Sequence, residues 1–281
     1  MQNMPLVSIL MTAYNREKYI VESIESVLAS TYQNFELIIV DDRSTDRTLE
    51  IAKQFAEKDK RITVYQNETN LGQFENRNKA AEYAKGKYLK YLDSDDIIYP
   101  TGIEAMVLNM EQFPEAAYGL EYPERQIDDP YPILKTSKEA YKLHFQGDKI
   151  FRCGPSAGIF NSKKFREVKG FPLTPYIGDL EFCLRLSARF SMIMMQPGLF
   201  WWRVHSEQEF AKGNSGISYL VSNFEINRKY LLDSHCPLHI SERKRLLKKI
   251  NKSHINLILG IAIKKLNISK AYNIYKTTKW T

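Results

Sequence analysis

Cysteine and long apolar runs are scarce in this chain of 281 residues. Its three cysteines are widely spaced and form no Cys-x-x-Cys pair, which argues against a disulfide framework or zinc site and favours a reducing cytoplasm. No basic segment followed by a long apolar stretch opens the sequence, so we expect no signal peptide. The longest apolar run near the end, residues 257–263, is far shorter than the roughly 20 residues that a membrane-spanning helix needs.

The composition that remains is that of an ordinary globular protein. Hydrophobic residues make up 43% and charged residues 26%, which excludes disordered and fibrous classes. The length fits one large α/β domain, or one domain with an appendage. The net charge of +7 is uneven, because an acidic cluster lies in the first half and a basic segment, residues 243–252, lies near the end.

Strand-like and helix-like segments alternate along the first hundred residues. Compact apolar runs predict strands, and apolar residues at helical spacing predict helices between them. The alternation predicts an α/β fold with a mostly parallel sheet covered by helices on both faces. The predicted strands cover residues 6–13, 35–40, 62–65 and 88–92, and the predicted helices cover residues 19–29, 46–57 and 73–84.

Polar segments follow each of these strands. Any one of them could be a turn or a helix cap. In open sheets, however, ligands bind beyond the carboxyl ends of the strands, so four such segments predict one binding edge. They are residues 12–16, 41–46, 67–72 and 93–96.

The last segment is a cluster of carboxylates. Asp93, Asp95 and Asp96 occupy three of four consecutive positions and would repel one another unless a cation, solvent or a basic partner offset the cost. In an extended segment Asp93 and Asp95 point to one side and can address one bound object, for which a divalent metal carrying a phosphate is the natural candidate. The alternative is a solvated turn that caps the next helix.

The second half of the chain is less regular. Residues 121–150 contain three prolines and many charges, which predicts a long excursion over the surface. A short helix at 162–168, a longer helix from Asp179 and a β-like stretch at 200–204 follow, and the chain reads as helical after Ser215. We expect a catalytic domain over residues 1–215 and a basic helical extension over residues 216–281.

The ordered motifs resemble the family 2 inverting glycosyltransferases of the GT-A fold, a Rossmann-like α/β class. The resemblance implies transfer of a sugar from a nucleotide-diphosphate sugar, with UDP expected, to a glycan or lipid-linked acceptor in surface polysaccharide synthesis. The matching motifs stand at residues 8–16, 41–46, 70–72 with 77–78, 93–96, 177–179 and 203–205.

The resemblance also implies roles for single residues. Asp179 would be the catalytic base, which removes the proton of the attacking hydroxyl, although the same position suits a helix cap. Asp95 and His205 would hold Mn²⁺ or Mg²⁺, and the imidazole favours manganese. The donor-binding residues would be Thr12 and Tyr14 at the nucleobase, Asp42 as its hydrogen-bond acceptor, Arg77 near the base or diphosphate, and Asp93 at the ribose.

This chain departs from the family pattern at one position. Many relatives have Glu-Asp where it has Gly178-Asp179, and whether Glu181 takes over from the missing carboxylate stays open. Trp201 and Trp202 could belong to the core or to an acceptor platform, and strand alternation predicts that one faces each way.

The basic tail has two interpretations of equal weight. Lysines and arginines among leucines and isoleucines are typical of an amphipathic helix on an anionic membrane, which would place the protein peripherally on the inner face of the cytoplasmic membrane. They also fit a solvated helix packed against the catalytic domain. No nucleic-acid-binding module is recognisable.

Two other functions compete with glycosyl transfer. A sugar nucleotidylyltransferase would carry a glycine-rich phosphate loop after the first strand, and residues 12–18 contain no glycine. A membrane-associated adaptor with a degenerate nucleotide fold would not need the aspartates and His205 together.

Overall fold

The computed structural model describes residues 4–122, 129–151, 153–206, 208, 216–263 and 266–280. The strands are β1 (Val7–Ala13), β2 (Phe35–Asp41), β3 (Ile62–Gln66), β4 (Tyr88–Tyr91), β5 (Ile97–Ile98), β6 (Ala116–Glu121), β7 (Ile133–Lys135), β8 (Gly158–Asn161), β9 (Ser191–Met195) and β10 (Phe200–Trp201). The α-helices are α1 (Ile20–Leu28), α2 (Thr48–Lys58), α3 (Gln73–Tyr83), α4 (Gly102–Gln112), α5 (Ser137–Leu143), α6 (Ser162–Glu167), α7 (Gly178–Ser187), α8 (Ile217–Leu232), α9 (Ile240–Ile263) and α10 (Ile268–Thr277).

Eight of these strands form one sheet in the order β3-β2-β1-β4-β8-β6-β9-β7. The pairings among β3, β2, β1 and β4 are all parallel, as is β6 with β9. The pairings of β8 with β4 and β6, and of β7 with β9, are antiparallel. The predicted α/β class with a large helix-flanked sheet is therefore confirmed, and the far half of the sheet is mixed.

The hydrophobic core lies on both faces of the sheet. Along β1, Leu10 belongs to one buried cluster, while Ile9 and Met11 belong to the other. Strand β2 alternates in the same way, with Ile38 on the first side and Leu37 on the second. Strands that are covered by helices on both faces read as continuous apolar runs, which is why the sequence predicted them so clearly.

The sheet changes its winding direction next to β1. The chain runs from β1 outward to β2 and β3, and then returns to place β4 on the other side of β1. A crevice opens at such a switch point beyond the carboxyl ends of the two central strands. The register sets Ala13 level with Asp41 and Leu10 level with Tyr91, so the segments that follow β1, β2 and β4 emerge at the same edge.

The predicted surface excursion over residues 121–150 is wrong where the structure describes it. Strand β7 joins the main sheet, helix α5 follows, and Tyr141, Phe145 and Ile150 are buried in the larger core cluster. Prolines and charges mark a break in periodicity, but they do not tell whether the chain then returns to the core. Residues 123–128 lie outside the described part.

The β-like stretch predicted at residues 200–204 is shorter in the structure. Only Phe200 and Trp201 form a strand, which pairs antiparallel with β5. This small second sheet brings residues 202–205 beside the segment that follows β4.

Helices α8, α9 and α10 follow the motifs that the sequence singled out. Ile226, Leu231 and Leu246 belong to the larger core cluster, so the first part of this extension packs onto the sheet's helices. A division of the chain after residue 215, which lies outside the described part, stays a prediction. No helix in the described ranges is long and apolar enough to cross a membrane.

Candidate active site

A cleft of about 1150 Å³ opens at the carboxyl edge of the sheet. It is lined by residues from all of the polar segments that the sequence singled out, together with the start of α7. Every predicted site residue except His205 is among the lining residues. These are Thr12, Tyr14, Asp42, Arg77, Asp93, Asp95 and Asp179.

Asp42 organises the loop that enters α3. Its Oδ1 accepts hydrogen bonds from Asn67 Nδ2 and from the backbone N–H of Leu71, both at 2.8 Å, and its Oδ2 accepts from the N–H of Gly72 at 2.9 Å. Gly72 has φ +83°, a backbone conformation that strains other residues. The buried Asp42 carboxylate therefore fixes a loop on one side of the cleft, in addition to any contact with a ligand.

Arg77 and Asp93 form a close ion pair at the floor of the cleft. Arg77 Nη2 donates to Asp93 Oδ1 at 2.6 Å, with the Arg77 side chain 7% exposed. The N–H of Asp93 donates to Ser156 Oγ at 2.9 Å. Asp93 thus keeps one oxygen directed toward Arg77 and has a backbone held by the turn at 155–157.

Asp95 is the centre of a second charged cluster. Its Oδ2 accepts a hydrogen bond from Arg16 Nε at 3.0 Å and lies 3.0 Å from His205 Nε2. The side chains of Asp95 and His205 are each 10% exposed. The His205 ring also packs against Tyr19, with centroids 4.5 Å apart. Residues 95 and 205 are therefore direct neighbours, although 110 positions separate them in sequence.

Arg203 and Asp96 hold the segment that carries His205. Arg203 Nε donates to the Asp95 backbone carbonyl at 2.9 Å, and the Arg203 N–H donates to Asp96 Oδ1 at 3.1 Å. Burial, reinforced by the negative charge of Asp93, raises the pKa of Asp96 to about 7. Asp96 therefore holds the segment that carries His205 through the Arg203 backbone N–H.

The chemistry of these side chains can be compared with the needs of a divalent metal. In the described part of the chain, no three His, Cys, Asp or Glu side chains cluster closely enough to hold an ion by themselves. Mg²⁺ typically takes only one or two protein carboxylates and completes its shell with substrate phosphates and water. Asp95 with His205 fits that requirement. Arg16 Nε occupies the same carboxylate oxygen, so it would compete with a cation there.

Asp179 lies in the first turn of α7 and lines the cleft. Its Oδ1 accepts a hydrogen bond from the N–H of Leu180 at 2.7 Å. Burial raises the pKa of Asp179 to about 6, against the opposing effects of that hydrogen bond and the charge of Arg77. A carboxyl group with such a pKa is ionised at neutral pH and binds a proton more readily than an exposed aspartate does.

Glu181 does not replace the carboxylate that many relatives carry before Asp179. Its Oε1 accepts hydrogen bonds from Lys229 Nζ at 2.7 Å and Tyr230 O–H at 3.3 Å, both on α8. Position 178 is glycine because space is short there: a Cβ would lie 2.7 Å from the Phe74 ring. A glutamate at 178 would displace that buried ring.

Sequence reasoning missed two residues in or beside the cleft, the lining residue Arg16 and the buried Lys90. Lys90 is 1% exposed, and its Nζ donates to the Ser156 carbonyl. Burial lowers the pKa of Lys90 to about 8. The available signal was a lysine in the middle of an apolar strand, three residues before Asp93. Arg16 stood within a recognised motif, but its contact with Asp95 depends on the fold.

Neither tryptophan of the pair belongs to the core, since Trp201 is 45% and Trp202 46% exposed. Trp202 lies just beyond β10, so strand alternation does not apply to it. Trp202 lines the cleft, whereas Trp201 contacts the Arg203 guanidinium at 4.9 Å from its ring centroid. Tyr176 and Tyr219 also line the cleft, so several aromatic rings accompany the charged groups.

Comparisons with known proteins agree with this geometry. The model of glycosyl transferase family 2 matches residues 8–168, more than half of the chain. The chain belongs to glycosyl transferase family 2. A nucleotidylyltransferase or an adaptor, the two competing interpretations of the sequence, finds no support in this match.

One relative of this family 2 glycosyltransferase is a putative teichuronic acid biosynthesis glycosyltransferase, TuaG of Bacillus subtilis, 47% identical over 33% of this chain and 36% of TuaG. The first curated relatives that match do so over only 35 to 44% of their own length.

Two solved structures share the fold of this family 2 glycosyltransferase. Staphylococcus aureus TarS 1-349 in complex with UDP-GlcNAc has a TM-score of 0.72 and 20% identity, covering 95% of this chain and 79% of that one. The mannosyltransferase PcManGT of Pyrobaculum calidifontis, in complex with GDP-Man and Mn²⁺, has a TM-score of 0.65 and 12% identity, covering 97% and 74%. Both likenesses confirm the GT-A architecture.

Proposed function

We propose that this protein is a metal-dependent inverting glycosyltransferase that moves a hexosyl or N-acetylhexosaminyl group from a UDP-sugar to a glycan or lipid-linked acceptor. The observation that carries the proposal is the convergence of Asp42, Asp93, Asp95 and Asp179 on one cleft, with His205 in contact with Asp95. Four carboxylates and an imidazole from four separate segments of the chain meet where the sheet's topology places a ligand.

The donor would lie across the switch point of the sheet. Thr12 and Tyr14 would line the nucleobase pocket, and the half-exposed Tyr14 ring offers an apolar, directional face to a base. Asp42 would accept a hydrogen bond from the base, since a carboxylate oxygen has more than one lone pair. Asp93 would hold the ribose, and Arg77 would place a positive charge near the diphosphate.

Asp95 and His205 would hold the divalent cation, and Mn²⁺ is favoured over Mg²⁺ because imidazole is a better ligand for it. The Mn²⁺ in the PcManGT complex supports the same choice. A bound cation would neutralise charge on the departing diphosphate. His205 would then present the lone pair of Nε2, the nitrogen that contacts Asp95 in the structure.

Asp179 would act as the catalytic base. Its carboxylate accepts the proton of the acceptor hydroxyl while the acceptor oxygen forms a bond to the anomeric carbon. The bond from that carbon to the phosphate oxygen breaks, and its electron pair leaves with UDP. Attack from the face opposite the leaving group inverts the anomeric configuration. The place of Asp179 in the lining of the cleft and its raised pKa suit this role.

The acceptor would be a growing surface glycan, for which the relative that is named for teichuronic acid biosynthesis gives support. Trp202, Tyr176 and Tyr219 would supply the aromatic faces on which a sugar ring can rest. A lipid-linked acceptor would also explain a peripheral position on the inner face of the cytoplasmic membrane, reached through the basic tail.

Titration calorimetry with UDP, GDP, UDP-GlcNAc and GDP-mannose tests the proposal, in Mn²⁺, Mg²⁺ or EDTA. We expect a uridine nucleotide to bind best, and with Mn²⁺ most tightly. Asp95→Ala should weaken the metal-dependent binding. Asp59→Ala serves as the matched control, because Asp59 pairs with Arg61 at 2.7 Å and is not a lining residue. If no nucleotide diphosphate binds with either metal, the proposal fails.

The proposed inversion at the anomeric carbon needs a separate measurement. Proton NMR of the product formed from an α-linked donor should show a β-linkage at the transferred sugar. A retained α-linkage would refute the inverting mechanism and the role of Asp179 as a base, while leaving nucleotide binding intact.

A further inference from the structure

Within the extension, most of the exposed large apolar side chains lie on the hairpin of α9 and α10. At its turn, Ile263, Leu266 and Ile268 are 69%, 87% and 74% exposed. Folded proteins commonly leave single apolar side chains in water, but contiguous apolar patches mark binding surfaces. Three large aliphatic side chains within six positions therefore need an explanation.

The exposed apolar surface continues along both helices at helical spacing. On α9, Ile255 and Leu259 precede Ile263 at intervals of four, and on α10, Tyr272 and Tyr275 follow Ile268. Residues at such intervals share one face of a helix. We call this set, Ile255, Leu259, Ile263, Leu266, Ile268, Tyr272 and Tyr275, the hairpin face.

The opposite side of the hairpin is anchored to the protein. Ile261, Ala271 and Ile274 are buried in a small cluster with Val221 of α8, and the N–H of Asn267 donates to the Ile261 carbonyl at 3.1 Å. Each helix therefore packs with one side and presents its other apolar side outward. The outward apolar side is therefore a regular feature of the hairpin and is not a result of poor packing.

The charge of the same segment indicates what kind of partner would bind the hairpin face. Residues 240–281 contain eleven lysines and arginines and one acid, Glu242, a net charge of +10. Because the whole chain carries +7, the remainder carries −3. The net positive charge of the protein thus comes from the segment that exposes the apolar face.

Not all of these basic residues are available for a partner. Arg243 donates to the carbonyls of Leu231 and Asp233 at 2.6 and 2.8 Å, and Lys249 Nζ donates to the Gln146 carbonyl at 2.6 Å. These hydrogen bonds therefore fix the start of α9 to the rest of the protein. Exposed lysines beyond the start of α9 are Lys252, Lys276 and Lys279.

We propose that the hairpin face binds an anionic lipid bilayer, with the side chains of Ile263, Leu266 and Ile268 inserted among the lipids and the exposed lysines at the headgroups. Apolar side chains with a basic surround bind interfaces through buried area and attraction to anionic lipids together. Tyrosines such as Tyr272 and Tyr275 suit the interface, because the ring enters the apolar region while the hydroxyl stays hydrated. Both interpretations of the tail then apply, each to a different part: the start of α9 packs on the body, and the hairpin face binds lipid.

Vesicle sedimentation tests this proposal with the full chain. We expect binding to phosphatidylcholine vesicles that contain phosphatidylglycerol, weak binding to phosphatidylcholine alone, and weakening by salt. The triple variant Ile263→Ser, Leu266→Ser, Ile268→Ser should lose at least about tenfold in partitioning. Leu108→Ser is the matched control, since Leu108 is 53% exposed on α4, outside the hairpin, and it should bind like wild type.

Several results would overturn the inference. They are an absence of binding to the anionic vesicles, equal binding to both compositions, or an unchanged triple variant. Dimerisation in ultracentrifugation that the triple variant abolishes, without vesicle binding, would assign the face to a second copy of the chain. Circular dichroism and UDP titration of each variant verify folding, and they also separate failure of this inference from failure of the proposed nucleotide chemistry.

Discussion

The cleft and the hairpin face depart from ordinary folding preferences in opposite ways. In the cleft, charged groups are withdrawn from water: Arg77 and Asp95 are almost fully buried, and each is held by an ion pair. In the hairpin, aliphatic groups are left in water, with Leu266 at 87% exposure. Both arrangements cost stability, because buried charge requires compensation and exposed apolar surface gains nothing from folding.

Such departures tend to mark function, since a sequence selected for stability alone would remove them. The proposed sugar transfer and the proposed lipid binding can also be tested separately. The cleft is built by the sheet and the loops at its edge, whereas the hairpin rests on α8 and contributes no lining residue to the described cleft. Changes in one region should leave the other unaffected.

The largest effect is expected from Asp179→Asn. The amide cannot accept the proton of the acceptor, so kcat should fall by about 10²- to 10⁴-fold, measured as UDP release with acceptor present. Donor affinity and vesicle binding should stay as in wild type. The matched control is Glu181→Gln, two positions along α7 and turned toward α8, which should retain most of its turnover. Equal losses in both variants would mean that Asp179 acts only through the helix.

The next effect separates the start of helix α9 from the turn that follows the helix. Leu246 is 3% exposed in the main core, so Leu246→Ala should lower the free energy of unfolding by about 2 to 5 kcal/mol. Leu266→Ala, at the exposed turn, should change it by no more than about 0.5 kcal/mol. Urea denaturation measures both. A large loss at Leu266 would show that the hairpin face is covered in solution, against its assignment to lipid.

The pH dependence of turnover sharpens the description of the cleft. Asp179 must be ionised to act, and burial raises its pKa to about 6. Activity should therefore rise with pH through about 6, and at one pH unit below this value it should be about a tenth of the plateau. Rates measured in Mn²⁺ across this range, with circular dichroism to verify folding, provide the check. A flat profile would remove Asp179 from the rate-determining proton transfer.

The smallest effect concerns Arg16. Because Arg16 Nε and a cation would share Asp95 Oδ2, Arg16→Gln should raise Mn²⁺ affinity, by up to about fivefold for a pair of this kind. The electron paramagnetic resonance signal of free Mn²⁺ measures it, with and without UDP. Arg47→Gln, which breaks only a surface pair with Glu50, should leave affinity unchanged. If Arg16→Gln instead bound UDP more weakly in the absence of metal, the result would indicate that Arg16 binds the diphosphate.

Sequence patterns anticipated the site better than they anticipated the second half of the fold. The residues that follow parallel strands must meet at one edge, so Asp42 and Asp93 could be placed together without coordinates. Strands β6, β8 and β9 were not foreseen, and each of them pairs with a partner far along the chain. The contact of His205 with Asp95 likewise came from family resemblance and not from any local signal.

By itself, the sequence determined the alternating α/β pattern, the edge where polar segments gather and the concentration of positive charge in residues 240–281. Each is a property of local periodicity, strand order or composition. Only the tertiary structure decided that Arg16 pairs with Asp95, that Glu181 turns to Lys229, and that Leu246 is buried while Leu266 is exposed. These outcomes depend on which side chains meet across long separations in the sequence. Two leucines of the same segment therefore differ in burial, because α9 begins against the core and the turn after it is in solvent.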